Sequence, residues 1–203
     1  DEIMEGGLSD NAVVMSWRGM ENGLSAIEAG HDVIMSPNAF YYFDYTQDAP
    51  IYEPEAIGGY IPLELAYSYA ADVASPHLLG VQGNVWTEFI PEADHLEYMI
   101  YPRMFAVAET GWSPVDKKDY AGFRERAVKL CKVFKDRGYN TFHLDTEFGT
   151  RPEAVTGVKH LAIGKPVKVL TPYADNYSAA GDVSINDGIC GSWSYSDKKW
   201  LGF

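Results

Sequence analysis

The sequence has 203 residues, of which 46% are hydrophobic and 14% are aromatic, enough for one large buried core or two smaller ones. Its 29 acidic and 16 basic residues give a net charge of −13, which repels nucleic acids and anionic membrane surfaces and so argues against both as partners. The longest apolar runs, such as 78–81 and 161–163, are far shorter than the roughly 20 residues of a membrane-spanning helix, so no membrane span is predicted.

Three segments in the first half repeat one order of signals: an apolar run, a loop rich in aromatic and acidic residues, and a helical pattern. The apolar runs are 12–17, 32–36 and 78–86, and the helical patterns are 20–30, 62–73 and 95–110. Repeated βα units predict an α/β fold whose parallel strands are buried on both faces. Both a (β/α)8 barrel and a doubly wound sheet fit this order, but the aromatic and acidic residues after each strand favour a barrel, whose strand ends converge on one site.

A long amphipathic helix is predicted within residues 117–140. Its apolar positions on one face are Phe123, Ala127, Leu130, Val133 and Phe134, and Gly138 ends it. The charges elsewhere along this stretch are those of a solvated face. We therefore expect this helix to close a first domain of residues 1–150.

The pattern changes after Pro152. Residues 167–170 and 181–203 indicate short strands separated by Gly and Asp turns. We expect a second domain to begin near residue 155, with 151–203 forming a linker and the start of an incomplete β-sandwich module. Cys131 and Cys190 have no CxxC or His-rich spacing nearby, so neither a zinc site nor a disulfide is predicted, and no metal or other cofactor is expected.

Three clusters mix aromatic and polar side chains at predicted strand ends: SWRG at 16–19, YYFDY at 41–45 and GNVWTEF at 83–89. Aromatic faces stack on the apolar face of a sugar ring, and carboxylates accept its hydroxyl hydrogens. Taken alone, Trp17 fits a core tryptophan better than a ligand contact. For Glu88 and Asp44, packing gives no reason to place a carboxylate beside aromatic rings, because burying an unpaired charge is costly.

These motifs carry a family resemblance. The opening DEIMEGGLSDNAVVMSWRG is similar to a segment of the family 20 glycoside hydrolases, the β-N-acetylhexosaminidases, and YYFDYTQ, GVQGNVWTEFI and PRMFAVAETGWS at 102–113 resemble later motifs of that family in the same order. The resemblance covers about residues 1–148 and implies the C-terminal part of a (β/α)8 TIM barrel. More loosely, 161–169, 187–193 and 200–203 resemble the beginning of a discoidin-like or coagulation-factor-type carbohydrate-binding module.

The resemblance also implies a role for five residues. Trp17 and Trp86 would form the walls of a pocket for the N-acetyl methyl of the sugar. Tyr42, the predicted catalytic residue, would donate its hydroxyl to the acetamido oxygen. Asp44 and Glu88 would accept hydrogen bonds from the O6 and O4 hydroxyls. The implied binding partner is a glycan or oligosaccharide with a terminal N-acetylhexosamine.

The family's reaction retains the anomeric configuration through attack by the substrate's own 2-acetamido oxygen. Its acid/base Glu and the preceding Asp belong to a His-x-Gly-Gly-Asp-Glu type motif. Asp1 and Glu2 lack the preceding His and glycines and match a separate Trp-Asp-Glu-Ile segment of the family. We therefore expect the catalytic pair to lie upstream of this chain, in a retaining exo-β-N-acetylhexosaminidase acting on terminal β-linked GlcNAc or GalNAc, and we expect this chain alone to be inactive.

Two other interpretations compete with this one. The chain could be a carbohydrate-binding fragment without turnover, or part of a barrel glycosidase of another family that uses two protein carboxylates. An Asp-Glu pair after His-x-Gly-Gly, upstream of this chain, would favour the hexosaminidase over both alternatives. The family and its accessory module further imply an extracytoplasmic location, either periplasmic, at the cell surface or secreted.

Overall fold

The computed structural model describes residues 6–48, 53–146, 157–191 and 198–203. Its centre is a sheet of three parallel strands in the order β1 (Val13–Ser16), β2 (Asp32–Met35) and β3 (Leu78–Val81). The three strands predicted from the apolar runs are thus adjacent and parallel, although each is shorter than its run.

Six α-helices accompany this sheet in the described residues. They are α1 (Glu21–Glu28), α2 (Asn38–Tyr41), α3 (Leu63–Ser68), α4 (Ala93–Ile100), α5 (Arg103–Trp112) and α6 (Tyr120–Asp136), with a 3-10 turn at Val115–Lys117. None of the described helices is long and apolar enough to cross a membrane.

Helix α1 ends as its sequence predicts. Gly30 has a φ of +88°, its N–H donates to the Ile27 carbonyl, and the His31 N–H donates to the Ala26 carbonyl. This pair of bonds satisfies carbonyls at the helix end and needs a left-handed residue, which glycine supplies without strain. At Gly23 a Cβ would lie 2.6 Å from the Met35 Cε atom, so α1 packs directly on β2.

The prediction of a single helix over 95–110 is wrong, because the helix is interrupted at Pro102. Helix α4 stops at Ile100, Tyr101 is extended with a ψ of 132°, and α5 starts at Arg103. Proline has no N–H to donate, and its ring disfavours the helical conformation for the residue before it. The break creates a new first turn at Arg103, whose side chain is completely buried.

The core lies between the sheet and the helices. Its fully or nearly fully buried members include Ala26, Val33, Met35, Tyr41, Phe43, Ile61, Leu63, Ala66 and Ala106. Helix α6 contributes Phe123, Ala127 and Cys131, which form a stripe at four-residue spacing. The expectation that Leu130 and Val133 share this face is wrong: they lie to one side of the stripe and are 41% and 42% exposed.

Strand β1 is predicted to be buried on both faces, but one of its faces is open. Val13 and Met15 are 53% and 42% exposed, whereas Val33 and Met35 on β2 are fully buried. Side chains alternate between the two faces of a strand. In the described part of the chain, helices cover one face of β1 and the alternate face stays open.

The predicted short strands after residue 155 do not form in the described residues. Gly181–Ile185 is a 3-10 helix, as is Asp175–Tyr177, and the only described strand-like pairing is an isolated bridge between Ser178 and Leu201. Gly181 and Gly188 have φ values of 75° and 82°, a conformation that turns the chain and interrupts strands. The domain boundary and the sandwich module remain predictions.

Candidate active site

Backbone hydrogen bonds continue past the carboxyl ends of the three strands and hold the following loops side by side. The Asn38 N–H donates to the Trp17 carbonyl at 2.9 Å. The Phe43 N–H donates to the Asn84 carbonyl and the Asn84 N–H to the Tyr41 carbonyl, both at 2.8 Å. The loops that carry the three aromatic and acidic clusters therefore meet at one edge of the sheet, where parallel strands place their ligand sites.

Three aromatic rings meet at this edge. The Tyr42 ring lies 6.3 Å from the Trp17 ring, with an angle of 24° between their planes, and 6.4 Å from the Trp86 ring, with an angle of 54°. Trp17 and Trp86 are 38% and 51% exposed. Large apolar rings left this open to solvent are a surface that a ligand can cover.

A cavity of about 440 Å³ opens beside these rings. It is lined by Tyr42, Asp44, Tyr45, Ile57, Gly58, Gly59, Trp86 and Glu88. Four of the five predicted site residues line it, and the fifth, Trp17, stacks on Tyr42. The predicted convergence of the five is confirmed, and their roles toward a sugar remain predictions.

Asp44 is the buried carboxylate of this cavity, with an exposure of 6%. Burial raises the pKa of its carboxyl above the ordinary value, and the negative charge of Glu88 adds to this; backbone N–H groups of Asp44 and Trp86 and the charge of Arg103 act in the opposite direction. Its Oδ1 atom is buried and has no hydrogen-bond partner among the described residues. The hydrogen-bonding capacity of this oxygen is therefore not used within the described residues.

Two glycines allow close packing in and next to the cavity. A Cβ on Gly83 would lie 2.8 Å from the Phe43 ring, and a Cβ on Gly59 would lie 2.5 Å from the Tyr45 ring. Gly59 also has a φ of +82°, a conformation that residues with side chains rarely adopt. Any larger residue at either position would displace the aromatic ring beneath it.

Sequence reasoning missed several residues of this site. Tyr45 lies in the YYFDY motif and lines the cavity, but it is not among the predicted site residues. Residues 57–59 belong to the long loop between α2 and α3, which has no periodicity. The Thr46 hydroxyl anchors this loop by donating to the Gly59 carbonyl at 3.0 Å. Arg103 lies in the motif PRMFAVAETGWS, and only its complete burial distinguishes it from a surface arginine.

No group of three or more His, Cys, Asp or Glu side chains in the described residues is arranged to hold a metal ion. Cys131 is buried, Cys190 is half-buried, and both are free. The side chains that line the described cavity include aromatic rings, hydroxyl groups and carboxylates.

The family model for the glycosyl hydrolase family 20 catalytic domain matches residues 1–115. A β-hexosaminidase of Porphyromonas gingivalis is 43% identical over an alignment of 152 residues, which covers 71% of this chain and 19% of that protein. A β-hexosaminidase of Vibrio furnissii is 37% identical over 51% of this chain and 18% of its own length. The chain thus spans about a fifth of the length of these relatives.

Solved structures match the fold of the same region. A family 20 exo-β-N-acetylglucosaminidase of Vibrio harveyi, in complex with N-acetylglucosamine, superposes with a TM-score of 0.62 and 30% identity over 72% of this chain and 24% of its own chain. The N-acetyl-β-hexosaminidase of Streptomyces plicatus has the same TM-score at 24% identity, over 70% of this chain and 31% of its own, which supports the fold alone. The three βα units are those of the C-terminal part of a TIM barrel.

Proposed function

Since the chain belongs to glycosyl hydrolase family 20, we propose that it is part of a retaining exo-β-N-acetylhexosaminidase that hydrolyses terminal β-linked GlcNAc or GalNAc. In this proposal the described site forms one side of the pocket for the terminal sugar. The acid/base Glu and its neighbouring Asp come from a segment that precedes residue 1. The substrate is a glycan or oligosaccharide with a terminal N-acetylhexosamine.

One observation carries this proposal: a phenol lies between two exposed indoles, beside a buried carboxylate oxygen that has no partner. Tyr42 contacts both Trp17 and Trp86, and the Oδ1 atom of Asp44 is buried without a hydrogen bond among the described residues. An N-acetylated sugar has the complementary groups, namely an apolar methyl, a carbonyl oxygen and several hydroxyls. In this proposal the indoles face the methyl, the Tyr42 hydroxyl faces the carbonyl oxygen, and the carboxylates face the hydroxyls.

The phenol of Tyr42 has the central role in the proposed reaction. The 2-acetamido oxygen attacks the anomeric carbon, and the leaving oxygen takes a proton from the upstream Glu. As the C–O bond forms, positive charge spreads over the acetamido group and its N–H becomes more acidic. Tyr42 donates its hydroxyl hydrogen to the acetamido oxygen and so holds that oxygen on the line of attack. The indoles of Trp17 and Trp86 keep the methyl group in place and exclude water.

The two carboxylates bind the part of the sugar that does not react. Asp44 would accept a hydrogen bond from one peripheral hydroxyl through its carboxylate, and Glu88 would accept one from another. Hydrogen bonds to an ionised acceptor are stronger than neutral ones. These contacts fix the ring at the position where its acetamido group reaches Tyr42.

The family match decides against a barrel glycosidase of another family. The other alternative is carbohydrate binding without turnover, and it makes a different prediction for the complete gene product that contains these residues. A binding protein retains a terminal N-acetylhexosamine without releasing it, whereas the proposed enzyme releases the free sugar.

A turnover assay with matched substrates tests the proposal. The complete gene product should hydrolyse chromogenic β-N-acetylglucosaminide or β-N-acetylgalactosaminide and leave the corresponding β-glucoside intact, because the glucoside lacks the 2-acetamido nucleophile. Proton NMR should detect the β-anomer first. Equal turnover of the glucoside, or inversion, would contradict substrate assistance, and tight binding without turnover would favour the binding alternative. Residues 1–203 alone should give no turnover.

A further inference from the structure

Beneath the cavity lies a cation that the proposed reaction does not use. Arg103, at the start of α5, is fully buried. Its guanidinium donates to the carbonyls of Phe43 at 2.7 Å and Tyr45 at 2.9 Å, and to that of Ile61 at 3.1 Å. It also donates to the carbonyl of Met99, and it lies 4.7 Å from the centre of the Phe43 ring.

The pattern of these carbonyls is informative. Phe43 and Tyr45 are the two neighbours of Asp44, so one guanidinium holds the backbone on both sides of the buried carboxylate. Ile61 lies two residues after Gly59, which lines the cavity. None of these three carbonyls is in a helix or strand, so the loop has no regular ladder of its own and Arg103 supplies its hydrogen bonds.

Arg103 is held in place by a second layer of polar groups. Burial lowers the pKa of its guanidinium to about 9, and the charges of Glu53 and Asp44 and the phenol of Tyr98 counter this shift. Glu53 accepts hydrogen bonds from the Tyr98 hydroxyl at 2.7 Å and from the Gln47 N–H at 3.3 Å. The guanidinium therefore remains charged near neutral pH, and the neighbouring acidic groups favour that charge.

We propose that Arg103 is a positioning residue for the hexosaminidase site: its planar fork fixes the loop 42–46, and with it the phenol of Tyr42 and the carboxylate of Asp44, against Trp86. The inference rests on the proposed function. An arginine fork bonds several acceptors in one plane, which a lysine ammonium cannot reproduce. A displacement of about 1 Å in a positioned group can lower turnover about 100-fold.

Two variants of the complete gene product separate geometry from charge. Arg103→Lys retains the charge and loses the fork, so kcat should fall about 10- to 100-fold, with a smaller change in KM. Arg103→Gln loses the charge that favours ionised Asp44, so the acid limb of kcat/KM should also move to higher pH. The groups that face Asp44 are Arg103 on α5 and Glu88 on the loop after β3, and those that face Arg103 are Glu53, Asp44 and Tyr98.

Arg137→Lys is the matched control, because Arg137 is exposed at the end of α6 and should leave both constants unchanged. Circular dichroism and a thermal melt identify variants that remain folded. Folded Arg103 variants with the kcat, KM and pH profile of the wild type would overturn the positioning role while the proposed function stands. A wild-type protein that is inactive on all N-acetylhexosaminides would contradict both the proposed function and the positioning role.

Tyr98→Phe decides the matter if neither Arg103 variant folds. It removes the hydroxyl that bonds Glu53, so the Glu53 carboxylate can draw the guanidinium away from the loop carbonyls. We expect kcat to fall about 3- to 10-fold, the size of one hydrogen bond's effect, with KM nearly unchanged. An unchanged kcat in folded Tyr98→Phe would overturn the proposal.

Discussion

Asp44 and Glu88 line the same cavity, but they lie in different environments. Asp44 is on the floor, which we define as Asp44 together with Arg103 and Glu53; it is 6% exposed and its carboxyl pKa is raised by burial. Glu88 belongs to the rim, which we define as Trp17, Trp86 and Glu88, all open to solvent. The chemical group is the same, and the surroundings differ.

The difference teaches where binding free energy can be concentrated. A buried charge costs free energy unless it is paired, so the floor needs Arg103 and backbone N–H groups to stabilise it. In return, a hydrogen bond to Asp44 forms away from competing water and is stronger than one at the rim. Replacing each carboxylate by its amide should therefore change the kinetics to different extents. The largest effect is expected at Tyr42, which contacts both rim tryptophans and lies two residues before Asp44.

Tyr42→Phe should have the largest effect in the complete gene product. The change removes one donor while keeping the ring between Trp17 and Trp86, so the acetamido oxygen is no longer held on the line of attack and kcat should fall about 100-fold, with a much smaller change in KM. Tyr139→Phe, the same change at a 44% exposed tyrosine outside the site, is the control. A kcat for Tyr42→Phe within about twofold of the wild type would remove Tyr42 from the reaction.

Asp44→Asn should lower kcat/KM about 10- to 100-fold, the effect of losing a hydrogen bond to a charged group. The amide fits the same volume, but it places an N–H donor where an acceptor is needed. The control is Asp72→Asn, at an exposed aspartate. Steady-state kinetics on the N-acetylglucosaminide measures the effect, and an unchanged kcat/KM would mean that the Asp44 carboxylate does not bind the sugar.

Glu88→Gln should raise KM about 2- to 10-fold and leave kcat nearly unchanged, because an exposed hydrogen bond to a non-reacting hydroxyl competes with water. Glu125→Gln, at an exposed position on α6, is the control. If Glu88→Gln proves as damaging as Asp44→Asn, burial does not distinguish the two carboxylates and the comparison of floor and rim fails.

A pH profile gives the smallest and most specific difference. Because burial raises the pKa of Asp44, its carboxylate becomes protonated at a higher pH than an exposed aspartate. As the pH falls through this raised pKa, the acceptor is lost and KM should rise a few-fold, on the order of one weakened hydrogen bond. Asp44→Asn cannot titrate and should lack this rise, whereas Glu88→Gln should retain it. A rise that persists in Asp44→Asn would assign it to another group.

Much of the fold could be predicted from local signals. The apolar runs predicted β1, β2 and β3, and Gly30 predicted the end of α1, because strand burial and helix termination depend on residues close in sequence. The break at Pro102 could also have been predicted, since a proline inside a helical pattern interrupts the helix. The motifs also predicted the site residues, namely Trp17, Tyr42, Asp44, Trp86 and Glu88.

The sequence by itself determined the α/β class, the family and the residue types of the site. Only the tertiary structure decided which residues form the floor. The buried Arg103 is 58 residues from Tyr45 and 60 from Phe43 in the chain, and no periodicity links them. Likewise, the different environments of Asp44 and Glu88 follow from which loops cover each side chain. Burial and pairing depend on contacts between distant segments, and these arise only when the chain folds.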